Sequence, residues 1–298
     1  MDSKDVVIIG AGPSGIATAI QLKRYGFEPM LLEKEEIGGL LRNAYLVENY
    51  PGFPEGIPGH QLVELFKRQI QNAGVEVHLE EVGELDYRDG IFFVKTDRRE
   101  ITSCTAVVAS GTKPRRISNP NPTADIEKHI FYEIHLLTQV TNERIIIVGA
   151  GDIAFDYALN LSARENQVII LNRGKRVKCC PLLWERAVRS EKIAYRNDTE
   201  IESIKYQDDG VRLTCRNPTG ASELFARYLI VAIGREPASD FLSENLKKNL
   251  GKLQKASRLH MIGDVKNDIY QQTAICVGDG IRAAMKIHRN MIGEDLCE

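Results

Sequence analysis

The 298-residue sequence predicts an α/β fold built from two Rossmann-like, three-layer dinucleotide-binding domains. Two stretches carry that prediction. "DVVIIG" at 5–10 leads into "GAGPSG", and "ERIIIV" at 143–148 leads into "GAGDIA". Each joins a short apolar run to a glycine turn and then to residues at helical spacing, the order of a strand–turn–helix nucleotide site. A chain that is 43% hydrophobic and 27% charged is also long enough for two domains with their own cores.

In the first unit the apolar run bounded by glycine suits a buried parallel strand. Gly10, Gly12 and Gly15 stand in GxGxxG register around Pro13 and Ser14, and "IATAIQLKRYG" continues as a helix that Gly26 stops. One glycine makes the tight turn, one lets backbone approach a pyrophosphate, and one packs helix on strand, while the helix N-terminus supplies positive potential. The next strand, "PMLLE", ends at Glu33, 23 residues after Gly10, and Lys34 follows. A carboxylate there accepts hydrogen bonds from ribose hydroxyls.

The second unit repeats the logic with Gly149, Gly151 and Ala154, and Asp152 and Ile153 open its helix. Two such units imply two dinucleotides. Its following strand, "QVIILN", ends in Asn172 and Arg173 where an NAD-preferring site usually shows an acid, and "RGKRVK" then gathers Arg173, Lys175, Arg176 and Lys178. Cations here pair with a 2′-phosphate, which favours NADPH, with NADH as the alternative.

Composition narrows the classes. The 39 basic and 41 acidic residues nearly cancel, so no whole-chain field points to nucleic acid or an anionic membrane. No stretch approaches the roughly 20 apolar residues of a membrane span, and the expected location is the cytoplasm. The six cysteines, 104, 179, 180, 215, 276 and 297, form no CxxC and no metal-ligand spacing. They read as reduced, mostly buried thiols, with no metal.

"GGLLRNAYLVENYPGFPEGIPGHQLVELF" at 38–66 resembles the flavin-side loop of the low-molecular-weight thioredoxin reductases. That resemblance implies FAD in the first domain, along Gly39, Leu40 and Asn49, with Val82 beside it. "VVASGTKPRR" at 107–116 resembles the family's segment leaving the first domain and adds Ala109, Ser110 and Gly111. "MIGDVKNDIYQQTAICVGDGIRAA" at 261–284 resembles the C-terminal FAD segment. By that likeness Gly263 belongs to the FAD site, Asp264 lies on the ribityl chain, and Gln272 and Thr273 lie near the isoalloxazine edge. "RYLIVAIGREP" at 227–237 resembles the return segment of the nicotinamide domain and adds Ile233, Gly234 and Arg235. The implied architecture is an NAD(P)H domain, 116–238, inserted into an FAD domain, 1–115 and 239–298, with "PNPTAD" at 120–125 as a connector. A homodimer is implied by the resemblance alone.

The family's redox dithiol is missing. Its CxxC and following acid lie just ahead of the second glycine turn, and ungapped counting back from Gly149 puts Tyr132 and His135 at the cysteine positions and Leu136 at the acidic one. Thiolate exchange needs sulfur, so that relay is closed to this chain. His135 has two readings, a proton donor facing flavin or a structural histidine.

The leading functional expectation is an NADPH-oxidising flavoprotein passing electrons from FAD to an external acceptor such as ferredoxin, flavodoxin or another small redox protein. It resembles the thioredoxin-reductase-type ferredoxin or flavodoxin NADP reductases, which also lack CxxC. Unlike them it carries only "NMIGEDLCE" after its last helical pattern. The basic run "KKNLGKLQKASR" at 247–258 reads either as a dock for an acidic carrier or as a solvated face. Two alternatives stand: a disulfide reductase using relocated cysteines such as Cys179, Cys180 or Cys297, and a non-catalytic dinucleotide sensor or assembly subunit.

Overall fold

A computed structural model describes residues 2–117 and 124–293. Strand β1 (Asp2–Ile9) feeds through the first glycine turn into helix α1 (Pro13–Arg24), followed by β2 (Met30–Glu33). Proline opens α1 because its missing N–H is one that the first helical turn leaves unpaired anyway. Helix α2 (Gly59–Asn72) precedes β3 (Val77–Leu79), β4 (Val82–Arg88), β5 (Ile91–Thr96), β6 (Glu100–Val108) and the short β7 (Thr112–Pro114). The chain then forms α3 (Ala124–Glu127), β8 (Ile130–Phe131), β9 (Arg144–Val148), α4 (Asp152–Ser162), β10 (Gln167–Leu171) and α5 (Pro181–Arg189). Next come β11 (Ile193–Arg196), β12 (Glu200–Gln207), β13 (Gly210–Asn217), β14 (Gly220–Ala226) and β15 (Tyr228–Val231). Strand β16 (Arg235–Pro237), α6 (Glu244–Lys255), β17 (Leu259–Met261) and α7 (Thr273–Met291) complete it.

Two compact units result. The first holds the described residues up to Arg42, Val47–Lys113 and those from Glu236 onward. Its seven-stranded sheet runs β3-β2-β1-β6-β5-β4, with β17 also on β6; β5 and β4 are antiparallel and the rest parallel. Val7, Ile9, Met30 and Leu32 share a core with Phe92 and with Leu246 and Leu253 of α6, and Ile8 and Leu31 between them are equally buried. Alternate residues are therefore buried on both faces, as a parallel sheet requires.

The second unit holds Asn43–Leu46 and Pro114–Arg235, and its sheet runs β11-β10-β9-β15-β8, all parallel. Ile145 and Ile147 face the core made with α4, whereas Ile146 faces the core made with the antiparallel strands β12-β13-β14. The third layer here is thus a sheet, which periodicity alone had not signalled. At its tight turns Asp208, Asp209 and Gly220 take positive φ.

The units divide after Lys113 and after Arg235 rather than at 115 and 238. Segment 43–46, counted with the first domain from sequence, joins the second unit because of the hydrogen bonds described below. Most of the expected connector at 120–125 lies outside the described residues, and its last two positions begin α3.

Candidate functional site

At the first glycine turn the three glycines have separate physical roles. Gly10 has φ +105°, and a Cβ there would lie 2.4 Å from the Ala109 carbonyl oxygen. One on Gly15 would lie 1.9 Å from the Gly10 oxygen, so Gly15 seats α1 on the strand. One on Gly12 would meet nothing within 4 Å: the concave side of the turn is open, ahead of the N-terminus of α1. Such a cradle fits a pyrophosphate. Glu33 Oε2 accepts from Ala11 N–H at 2.7 Å and Oε1 accepts from Glu35 N–H at 3.1 Å. A carboxylate has about four acceptor positions, so two remain for ribose hydroxyls.

Some of the other expected residues of this site meet the same turn. Gly38 N–H donates to Ala11 O at 2.9 Å, and a Cβ on Gly39 would lie 3.4 Å from Gly12 Cα, so the loop carrying Gly39 and Leu40 crosses the cradle. Gly263 (φ +69°) comes so near Ser14 that a Cβ would sit 2.5 Å from its Oγ. Asp264 accepts from the Cys276 thiol at 3.1 Å. Asn49 Nδ2 donates to Gln272 Oε1 at 2.6 Å, and Thr273 begins α7. Ser110 Oγ donates to Ala238 O at 2.6 Å, and Gly111 turns beside it at φ +67°. Val82 packs its side chain against the first unit's core, and Lys34 is exposed beside Glu35.

Sequence reading missed Asp279 and Gly280. Asp279 Oδ2 accepts from Gly263 N–H at 3.3 Å and from Asn267 Nδ2 at 2.7 Å, holding the turn that carries Asp264. Gly280 lets α7 cross α1 closely, since a Cβ would lie 2.3 Å from Ser14 O. The signal was the small pair Gly278 and Gly280 inside an otherwise helical pattern.

The second turn repeats the first. Gly149 has φ +141° with its Cβ position 2.2 Å from Ala232 O, Gly151 opens onto free space, and Ala154 is buried against the core. Asp152 Oδ1 accepts from Cys180 N–H at 2.6 Å and Lys178 N–H donates to Ala150 O at 2.8 Å, so the basic loop folds back onto the turn. Arg173, Lys175, Arg176 and Lys178 are all exposed. Asn172 differs from expectation, because its side chain is used inside the loop. It accepts from Gly174 N–H at 3.0 Å and donates to Arg176 O at 3.0 Å and to Tyr195 Oη at 2.8 Å. Ile233 is partly exposed, and Gly234 turns at φ +113°.

Where the family's dithiol would stand, the second unit holds a buried polar network. Glu133 Oε1 accepts from Arg235 Nη1 at 2.7 Å, and Oε2 accepts from Tyr157 Oη at 2.9 Å and Asn43 Nδ2 at 2.6 Å. Arg235, expected on the nicotinamide nucleotide, thus spends its guanidinium partly on Glu133. Asn43 Oδ1 accepts from the Ile134 and His135 amides and from His135 Nδ1 at 3.0 Å, which makes His135 a brace in this structure. Asn160 Nδ2 donates to Asn43 O, and Tyr45 N–H donates to the Asp156 carboxylate. Burial, opposed by the Tyr45 bond and aided by Asp152, raises the Asp156 pKa to about 6. Tyr132 lies under the Arg116 guanidinium, 5.3 Å from the ring centroid, and Leu136 is 64% exposed.

None of the five described cysteines is in a disulfide. Only Cys215 and Cys276 are buried among the five described, fewer than expected, and Cys104 and Cys180 are exposed. Burial above all pushes the Cys179 thiol up to about 11 and raises those of Cys215 and Cys276. Such thiols hold little nucleophilic thiolate near neutrality. Cys297 lies outside the described residues. No helix among those residues is long and apolar enough to cross a membrane.

Residues 4–280 match the family model described as pyridine nucleotide-disulphide oxidoreductase. The chain belongs to that family. It is an NAD(P)H-dependent flavoprotein oxidoreductase with FAD and NADPH as cofactors, and the two open glycine cradles fit them. Among curated relatives, thioredoxin reductase from Mycolicibacterium smegmatis is 27% identical over 98% of this chain and 97% of its own. NADPH-dependent thioredoxin reductase 3 from Arabidopsis thaliana is 26% identical over 98% of this chain, which spans 59% of that longer protein. Among solved structures, Lactococcus lactis thioredoxin reductase superposes with a TM-score of 0.85 at 26% identity, covering 97% of this chain and 99% of that one. The thioredoxin reductase of T. acidophilum reaches a TM-score of 0.84 at 22% identity, covering 98% of this chain and 100% of that one, a likeness of fold.

Proposed function

We propose that this oxidoreductase takes hydride from NADPH into FAD and passes the electrons straight to an external acceptor, a small redox protein of the ferredoxin or flavodoxin type, without an internal dithiol. The flavin, when bound, supplies the exchange between paired and single electrons. The chain's residues bind and orient. In this reading the first unit holds FAD: Gly12 and the α1 N-terminus take its pyrophosphate, Glu33 its ribose, and Asp264, Gln272 and Thr273 its flavin end. The second unit holds NADPH: Gly151 and the α4 N-terminus take the pyrophosphate, and Arg173 and Lys178 the 2′-phosphate.

The observation that carries the reading is the Glu133 network. A carboxylate bound by Arg235, Tyr157 and Asn43 stands between Tyr132 and His135, where thiol chemistry has no sulfur to use. Anaerobic NADPH titration tests it. Uptake should stop at about two electrons per FAD, and a panel of ferredoxin, flavodoxin, thioredoxin and small disulfides should show turnover with the carriers alone. Uptake of a second electron pair, or disulfide turnover lost in Cys179→Ser or Cys180→Ser, would instead establish a relocated-disulfide reductase. A homodimer belongs to the reading too, supported by Ile281 and Met285, exposed four residues apart on one face of α7, with Ile292 exposed just past its end. Light scattering checks it.

A further inference from the structure

A cleft of about 210 Å³ opens within the first unit between the end of α6, strand β17 and α7. Leu259, Ile262 and Ala283 give it an apolar floor. Three cations line it, Lys266, Arg282 and Lys286, against the single carboxylate of Asp279. Asp279 is already committed: it holds Gly263 N–H and Asn267 Nδ2 and pairs with Arg282. Lys266 and Lys286 have no ion-pair partner among the described residues.

A buried histidine lies in the same wall. His260 is 8% exposed, and its Nε2–H donates to Ser257 O at 3.1 Å. Burial first, then the charges of Lys286 and Lys266 against the opposing Ser257 bond, pushes its pKa down to about 4. Both ammonium groups therefore act on this ring, and at neutral pH the ring adds no charge of its own. The cleft is left with an excess of two positive charges, three cations less Asp279, over an apolar floor.

We propose that this cleft binds a compact multivalent oxyanion of the phosphate class, held by Lys266, Lys286 and Arg282. Charge-assisted hydrogen bonds from ammonium and guanidinium groups are the chemistry that recognises such a ligand. The cleft is smaller than the roughly 300–1,000 Å³ typical of pockets for drug-sized molecules, which selects a ligand of few atoms. None of the residues lining the cleft belongs to either glycine turn, and its assignment does not depend on which acceptor the oxidoreductase serves.

Inorganic phosphate titrated calorimetrically into the FAD-loaded protein at low ionic strength tests this. Saturable binding is expected, weakened by about tenfold or more in Lys266→Ala/Lys286→Ala. The control, Lys247→Ala/Lys248→Ala on α6, removes the same charge away from the cleft and should change affinity by less than about twofold. Both pairs are exposed, so folding is expected to survive, and circular dichroism melts confirm it. Arg282→Gln is the independent second variant, with a comparable loss expected. Absence of saturable binding, or equal loss in the cleft and control pairs, would overturn the assignment.

Discussion

Glu133 Oε1 accepts from Arg235 Nη1 at 2.7 Å, with the two side chains only 17% and 7% exposed. A pair this buried contributes less through attraction than it costs to break, because the survivor is left as an uncompensated charge. Glu133→Ala should destabilise the protein by about 3–5 kcal/mol in urea unfolding. Adding Arg235→Met should recover part of that loss, since the double variant leaves no orphaned charge. Equal loss in the single and double variants would show that packing, rather than charge, is at stake.

The glycine turns separate ligand binding from folding. Gly12→Ala and Gly151→Ala place a methyl group in open space, so they should leave unfolding midpoints within about 1 kcal/mol of native while weakening FAD and NADPH respectively. Gly15→Ala, with its methyl 1.9 Å from backbone oxygen, should reduce stability itself by several-fold more. Cofactor dissociation measured beside thermal melts distinguishes these outcomes.

Glu33→Ala removes the acceptor of the Ala11 and Glu35 amides as well as the expected ribose bonds. FAD affinity should fall by about 1.5–3 kcal/mol for each charged bond lost, as measured by equilibrium dialysis. Unchanged retention would remove Glu33 from the site.

Replacing both Arg173 and Lys178 by Ala should raise KM for NADPH by a factor corresponding to roughly 2 kcal/mol, about thirtyfold, and leave NADH nearly unaffected. The four basic side chains of this loop are exposed, which is what discrimination by a 2′-phosphate needs. Equal losses with both nucleotides would place the discrimination elsewhere.

Asp156 makes stability fall as pH rises. Its carboxyl pKa is raised from 3.8 to about 6 in the folded chain, so between those values the folded state binds more protons than the unfolded one. The stabilisation is fully present below about pH 4 and is lost as pH passes 6, a change on the order of 3 kcal/mol. Asp156→Asn keeps an acceptor for Tyr45 N–H but cannot titrate. The stability difference between native and variant should therefore move with pH across this window, followed by urea unfolding at each pH. A flat difference would mean that the carboxyl is not buried as described.

The sequence by itself determined the two glycine turns, Glu33, the basic loop and the loss of the dithiol. Each is a local pattern, and a chain of L-residues has few ways to make a turn like that at Gly10 or Gly149, where φ is positive and backbone lies within 2.4 Å of the Cβ position. Absence of sulfur at Tyr132 and His135 needs no folding to be seen. The tertiary structure alone decided what stands in the dithiol's place. Glu133 meets Arg235 across 102 residues, Asn43 meets Glu133 across 90, and Tyr45 meets Asp156 across 111, separations over which no periodicity carries information. It also decided that Asn172 braces its own loop, that Arg235 turns to Glu133, and that Asp279 holds the Gly263 turn. Polar partners are chosen by which donors and acceptors burial brings within 3 Å or so of each other, and only the packed chain determines that.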